Sequence, residues 1–192
     1  MTLRFVTGNE NKFEEARKIG ESMGIEVEHE DLKYEEIQAD TLEEVVKPSV
    51  QEVYEIIEEP CFVEDAGLFI NCINGFPGPY SSYVFKTLGN EGILKLMKDK
   101  SDRTAEFRSV IGFCDSDENL EIFRGRVKGE ILKEERGKEG FGYDPIFSPK
   151  GIENKTFAEM SVEKKNSFSH RSSAIEKFVK WYKRNKKAEV RD

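Results

Sequence analysis

The sequence predicts an α/β fold, and three patterns carry that reading. Short apolar runs alternate with segments of helical periodicity through residue 98. Two long β-type segments follow, divided by a polar turn. The chain then closes on an amphipathic helix. Alternation first and a hairpin afterwards point to an α/β layer extended by antiparallel strands. A length of 192 residues fits one domain, or one core with two lobes.

The elements follow in order. Residues 3–7 read as a strand, and 12–23 as a helix with Phe13, Ala16, Ile19 and Met23 on one face. Alternation in IEVEHEDL predicts a strand at 25–32. Thr41 with Glu44 resembles a capping box. Leu42, Val45, Val46, Val50, Val53, Ile56 and Ile57 mark the helix behind it, and Pro48 is expected to kink or restart it. CFVED at 61–65 reads as a short strand ending in two acids. NGFPGPY at 74–80 must be a structured loop, with two short helices expected at 80–88 and 90–98.

TAEFRSVIGFCD and LEIFRGRVKGEIL predict two long strands paired across SDEN. FGYDPIFSP reads as strand-like, interrupted by Pro145. The last helix is predicted at 170–184, with Ala174, Ile175, Phe178, Val179, Trp181 and Tyr182 on its apolar stripe. Residues 1–185 are taken as the domain, and KKAEVRD at 186–192 as a charged tail.

Composition narrows the classes. No apolar run approaches membrane-spanning length, so no bilayer crossing is expected. MTLRFVTG lacks a signal-peptide pattern. Cys61, Cys72 and Cys114 have apolar neighbours and form no C-x-x-C pair. They read as buried thiols in a reducing compartment, and the expected location is the cytoplasm. A net charge of −8 argues against general nucleic-acid binding. That charge is uneven. Residues 26–59 hold thirteen acids against Lys33 and Lys47, and 163–187 hold nine Lys or Arg against Glu163 and Glu176. The asymmetry suits a cation at one wall of a cleft and a polyanion at the other; it equally suits two solvated helix faces.

Four polar clusters could carry chemistry. TGNENK, Thr7 to Lys12, is a strand-to-helix turn with small polar residues and a lysine. Such a turn holds phosphate on helix N-terminal amides, or it caps the helix. It is not a Walker A loop. Glu64–Asp65 is an acid pair at the expected carboxyl end of an apolar strand, where open α/β sheets bind ligands, or else a helix cap or a solvated turn. FGYD, Phe141 to Asp144, offers an aromatic plane and an acid, or a strand edge. EKKNSFSHR places Lys165, His170 and Arg171 near a helix start, or on a solvated basic surface. Together these are parts for a nucleoside triphosphate with Mg²⁺. His29 and His170 make no metal-spaced pair, and no nucleophile elbow occurs. Hydrolysis by metal-activated water fits best.

TGNENK, EEIQADTLEE, FVEDAG, GFPGPYS, FGYD, TFAEM and KKNSFSHR occur in that order. Their combination resembles the inosine triphosphate pyrophosphatase family from residue 3 to about 182. The resemblance implies a long, twisted mixed sheet with two α/β lobes flanking a central cleft. It implies hydrolysis of ITP, dITP and XTP to the monophosphate and pyrophosphate with Mg²⁺, which removes deaminated purines from the nucleotide pool. Members are usually homodimers.

Residue by residue, Thr7, Gly8, Asn9, Glu10, Asn11 and Lys12 match the triphosphate loop. Glu36 and Asp65 match the metal-binding acids, and Asp65 also the base for water. Ala66 stands where members often place Ser or Thr, so only its N–H could touch substrate. Phe141, Gly142, Tyr143 and Asp144 match the base-binding segment, with Phe141 stacking on the purine. Lys165, His170 and Arg171 match base and phosphate contacts. The expected partners are a purine triphosphate and a second copy of the chain, with no stable nucleic acid and no membrane. Two rivals stand beside this reading: a hydrolase of modified pyrimidine nucleotides, and a nucleotide sensor without turnover.

Overall fold

The structure is a computed structural model, and it describes residues 2–116, 119–152 and 155–189. The chain runs β1 (Thr2–Val6), α1 (Glu10–Ser22), β2 (Glu26–Glu30), α2 (Leu42–Ile57), β3 (Cys61–Ile70), α3 (Ser81–Leu96), β4 (Thr104–Ser116), β5 (Asn119–Ile131), β6 (Phe147–Pro149), α4 (Val162–Asn166) and α5 (His170–Glu189). Among the described residues the strands form one mixed sheet in the order β2-β1-β3-β4-β5-β6. β1 is parallel to β2 and β3; the pairs from β3 onward are antiparallel.

Alternation of side chains across the sheet sorts the core into three clusters. Phe62, Ile111 and Phe113 pack under α1 and α5 with Leu3, Phe5, Ile175 and Phe178. Leu68, Ile70 and Phe107 lie on the same face further along β3 and β4, under α3 and the 143–160 segment. Cys61, Val63, Val110 and Cys114 face the other way, against Val46, Val50 and Val53 of α2. Between the first two clusters the face turns polar at Glu64 and Ser109, and there the site forms.

Four expectations need correcting. α2 is continuous through Pro48, so the helix does not restart there. A mid-helix proline costs about 3 kcal/mol. Burial of Val46, Val50 and Val53 on both sides of it offsets that cost. β3 does not stop at its acids; it continues to Ile70, so Glu64 and Asp65 lie mid-strand. Ala66-Gly67 looks like a strand end, but Gly67 is where the GFPGPY loop presses on the strand. A Cβ at Gly67 would stand 2.3 Å from the Gly78 carbonyl oxygen. FGYDPIFSP is mostly irregular, with a 3-10 turn at Asp144–Ile146 and only Phe147–Pro149 paired. α5 extends to Glu189, beyond the expected 184, and residues 190–192 of the tail lie outside the described residues.

Other expectations hold in detail. Thr41 and Glu44 form the capping box. The helical stretch after the GFPGPY loop breaks at Gly89, whose φ of 63° is a left-handed conformation suited to glycine. β4 and β5 pair as a hairpin, and its Asp117–Glu118 turn lies outside the described residues.

Candidate active site

β1 ends at Val6 and pairs with β3 only at Cys61 and Phe62. From Val63 to Gly67 that edge of β3 has no strand beside it among the described residues. Along this open edge, not at the strand's end, Asp65 is partly exposed while Glu64 is buried. The turn after β1 delivers Lys12 to that edge. Lys12 Nζ donates to the Glu64 carbonyl at 2.9 Å and lies 3.0 Å from Glu64 Oε2 and 3.8 Å from Asp65 Oδ1. Burial pulls the Lys12 pKa down, but Glu64 and Asp65 outweigh it and leave the amine firmly protonated.

TGNENK serves as a cap as well. Asn9 Oδ1 accepts from the Asn11 and Lys12 amides, and Thr7 Oγ1 accepts from the Asn9 amide. Gly8, Glu10 and Asn11 are exposed, and Thr7 is buried. The loop is thus preformed, with Lys12 aimed at the β3 edge.

Glu64 and Asp65 point to opposite faces, as adjacent strand residues must. Glu64 faces α1 and α5. Ser109 Oγ donates to its Oε1 at 2.6 Å, and Arg171 Nε lies 3.2 Å from the same oxygen. Burial alone would raise the Glu64 pKa, but Arg171, Lys12 and Ser109 hold it far below the carboxylate range. Asp65 faces the α2 side. Burial, with Glu64 and Glu36 nearby, outweighs Lys12 and the Ala66 amide and pushes its pKa up to about 6. The Ala66 amide donates to Asp65 Oδ1 at 2.8 Å, so in this structure that N–H serves Asp65.

Glu36 is exposed and sits on irregular chain before α2. Tyr34 Oη donates to Glu36 Oε1 at 3.2 Å. Burial, with Glu36, Asp65 and Glu64 beside it, raises the Tyr34 pKa and keeps the phenol neutral. Among the described residues no three His, Cys, Asp or Glu side chains converge as a ready metal cage.

On the α1/α5 side the charges alternate. Lys165 Nζ lies 2.8 Å from Glu15 Oε1 and 2.7 Å from Asp144 Oδ2. Arg171 bridges Glu15 and Glu64. Lys165 is 2% exposed and Arg171 1%, so this basic segment is not a solvated surface. Asp144 Oδ2 also accepts from the Phe141 amide at 2.9 Å, which folds FGYD into its turn. The Phe141 ring is half-buried, 4.8 Å from Lys165 Nζ and 5.7 Å from the Arg171 guanidinium carbon. Gly142 has a φ of 61° with open space where a side chain would stand. Its carbonyl accepts from Asn90 Nδ2. Tyr143 is buried against Phe85, with its hydroxyl on the Ser81 carbonyl at 2.9 Å. His170 stacks on Phe107 at 4.7 Å, and its buried Nδ1 has no hydrogen-bond partner among the described residues. Burial, then Arg171 and Lys165, pull its pKa well below the ordinary value, so the imidazole is neutral.

Of the sequence-derived residues, Lys12, Glu36, Asp65, Phe141, Asp144, Lys165, His170 and Arg171 lie in one neighbourhood, while Gly8, Glu10 and Asn11 are exposed and Tyr143 is buried in the core. Glu15 and Ser109 were missed. Glu15 lies one turn after Lys12 and one before Ile19, on the buried side of α1, and that spacing was the available signal.

A family model described as the Ham1 family matches residues 3–181. The chain belongs to the Ham1 family. Among its Ham1 relatives, a dITP/XTP pyrophosphatase of Methanopyrus kandleri is 52% identical over 185 residues, covering 96% of this chain and 98% of that protein. One from Thermococcus kodakarensis is 50% identical over 187 residues, covering 97% and 100%. A HAM1 protein structure from Coxiella burnetii superposes with a TM-score of 0.84 at 28% identity, over 96% of this chain and 99% of that one. A nucleoside-triphosphatase / dITP/XTP pyrophosphatase from Mycobacterium abscessus gives 0.69 at 26% identity, over 87% and 93%. The Ham1 membership and these pyrophosphatase relatives bear out the resemblance read from the motifs.

Proposed function

We propose that the chain hydrolyses dITP, XTP and ITP to the monophosphate and pyrophosphate. The observation that carries this reading is the β3 edge, where a protonated lysine meets an under-neutralised aspartate beside a preformed turn. The names of close relatives supply the substrate class.

Each residue has a physical task. Lys12 neutralises oxygens of the triphosphate, whose negative charge it meets at the mouth of α1. Asp65 takes the proton from the attacking water as the bridging oxygen of the α–β anhydride leaves with pyrophosphate. Its pKa of about 6 suits a base that is ionised at neutral pH yet strong enough to take a proton. Phe141 offers a ring for the purine. Arg171 donates to the 6-oxo group, which adenine replaces with an amine, so ATP leaves a buried donor unpaired.

The donor set fits a hard divalent cation. Glu36 and Asp65 supply oxygen only, and Lys12 alone opposes the negative charge there. Mg²⁺ is commonly held by one or two carboxylates with substrate phosphates and water, which needs no ready cage. Mg²⁺ held by Glu36 and Asp65 would supply charge neutralisation on the departing pyrophosphate.

The chain is further proposed to act in the cytoplasm as a homodimer. Exposed Phe76, Tyr80, Tyr83 and Leu88 provide an apolar surface for a second copy. Among the described residues no helix is long and apolar enough to cross a membrane. Sedimentation should give a dimer; a monomer at micromolar concentration contradicts that assembly.

The deciding experiment is product identity from ITP. IMP with pyrophosphate supports the proposal. IDP with phosphate, or binding without turnover, overturns it.

A further inference from the structure

We propose that Tyr34 is a positioning residue, whose hydroxyl fixes the Glu36 carboxylate beside Asp65 for the cation. This rests on the reading of Glu36 and Asp65 as cation ligands.

Glu36 lies in the 31–41 stretch, which contains no helix or strand. A ligand carried on irregular backbone must be held by side chains, because no hydrogen-bonded ladder fixes its direction. Among the described residues, three attachments hold residues 32–36. Leu32 and the Tyr34 ring pack against the core under α2. The Glu35 amide donates to Glu52 Oε1 of α2 at 3.3 Å. Tyr34 Oη donates to Glu36 Oε1 at 3.2 Å. Only the last grips the carboxylate itself.

Glu36 is otherwise exposed and has no ion pair among the described residues. Without that hydrogen bond its side chain would move freely among rotamers. With it, one oxygen is anchored to a ring seated in the core, and Oε2 remains for a cation. The phenol suits the place chemically. It is a neutral donor among Glu36, Asp65 and Glu64, so it gives a hydrogen bond without cancelling the negative charge that draws a cation. A lysine there would hold Glu36 and also repel the ion. Ligating carboxylates are commonly oriented by such a second hydrogen bond, and removing it costs about tenfold or more in metal affinity.

Tyr34→Phe keeps the ring and removes only the hydroxyl. Mn²⁺ binding would be followed by electron paramagnetic resonance, with an α,β-methylene analogue of ITP present and no turnover. Parent, Tyr34→Phe and Glu36→Gln are compared, each with its Tm. The expected result is a Kd for Mn²⁺ about tenfold higher in Tyr34→Phe at unchanged Tm. Turnover of ITP by that variant should recover as Mg²⁺ is raised, which damage to the fold would not allow. Unchanged affinity in Tyr34→Phe, with loss in Glu36→Gln, overturns the proposal and leaves Glu36 a ligand. Affinity lost only in step with a lower Tm overturns it too. Unchanged affinity in Glu36→Gln overturns the reading beneath it as well.

Discussion

On the side of β3 that faces α1 and α5, Glu64 has Arg171, Lys12 and Ser109 for partners. On the side that faces α2, Asp65 has Lys12 at 3.8 Å, its neighbour's amide, and two more carboxylates close by. The two acids are adjacent and both largely buried, yet burial decides the outcome only for Asp65. Where cations and hydroxyls surround a carboxylate, it stays ionised and holds structure. Where they do not, the group keeps a raised pKa and can take a proton. The proposed function puts recognition on the paired side and reaction on the unpaired one.

The largest test of that contrast is Asp65→Asn. If Asp65 is the proposed base and cation ligand, its loss should cut turnover by about 10³-fold or more. The same change should stabilise the protein. A carboxyl raised from 3.8 to about 6 binds its proton more tightly folded than unfolded. Stability from it is therefore present below pH 3.8 and lost as pH rises through about 6. At neutral pH the variant should gain up to about 3 kcal/mol. Activity near that of the parent, measured with ITP, would break the contrast.

Next is Arg171→Ala, on the paired side. It leaves Glu15 and Glu64 buried without their main cation. Removing one partner of a buried pair costs about 3–5 kcal/mol, readable in denaturant unfolding. The ITP:ATP ratio of kcat/KM should narrow by about tenfold. An unchanged ratio would remove Arg171 from base recognition.

The contrast sharpens with pH. kcat/KM should fall about tenfold per pH unit once pH drops below the Asp65 pKa. Glu64 acts in the opposite direction. Its pKa is depressed, so its stability contribution is full above the ordinary value of 4.5 and is lost progressively below it, ending only in strong acid. Activity should therefore disappear on acidification well before the fold does, as circular dichroism beside kinetics would show. Smallest is Tyr143→Phe. Its hydroxyl serves Ser81 in the core, so about 1 kcal/mol of stability and no kcat should be lost.

Much of the paired side was legible as motifs, because Lys12, Asp144, Lys165 and Arg171 fall in short polar clusters inside an otherwise apolar pattern. Their geometry was not. Glu15 meets Lys165 and Arg171 from the opposite end of the chain; α1 spacing puts it on the buried side but names no partner. The mid-strand location of Asp65 was hidden for a local reason. Ala66-Gly67 has the composition of a strand end, while the structure uses the bare Gly67 to seat the Gly78 carbonyl. Pro48 misled similarly, since helix propensity weighs less than three valines buried on the sheet.

The most direct measurement is a carbon-13 NMR titration of the side-chain carboxyls, with Asp65→Asn and Glu64→Gln used for assignment. The account predicts that Asp65 titrates near pH 6 while Glu64 stays ionised to the acid limit of the folded state. If both carboxyls titrate together in the ordinary range, the division between a paired side and a reactive side of β3 is wrong.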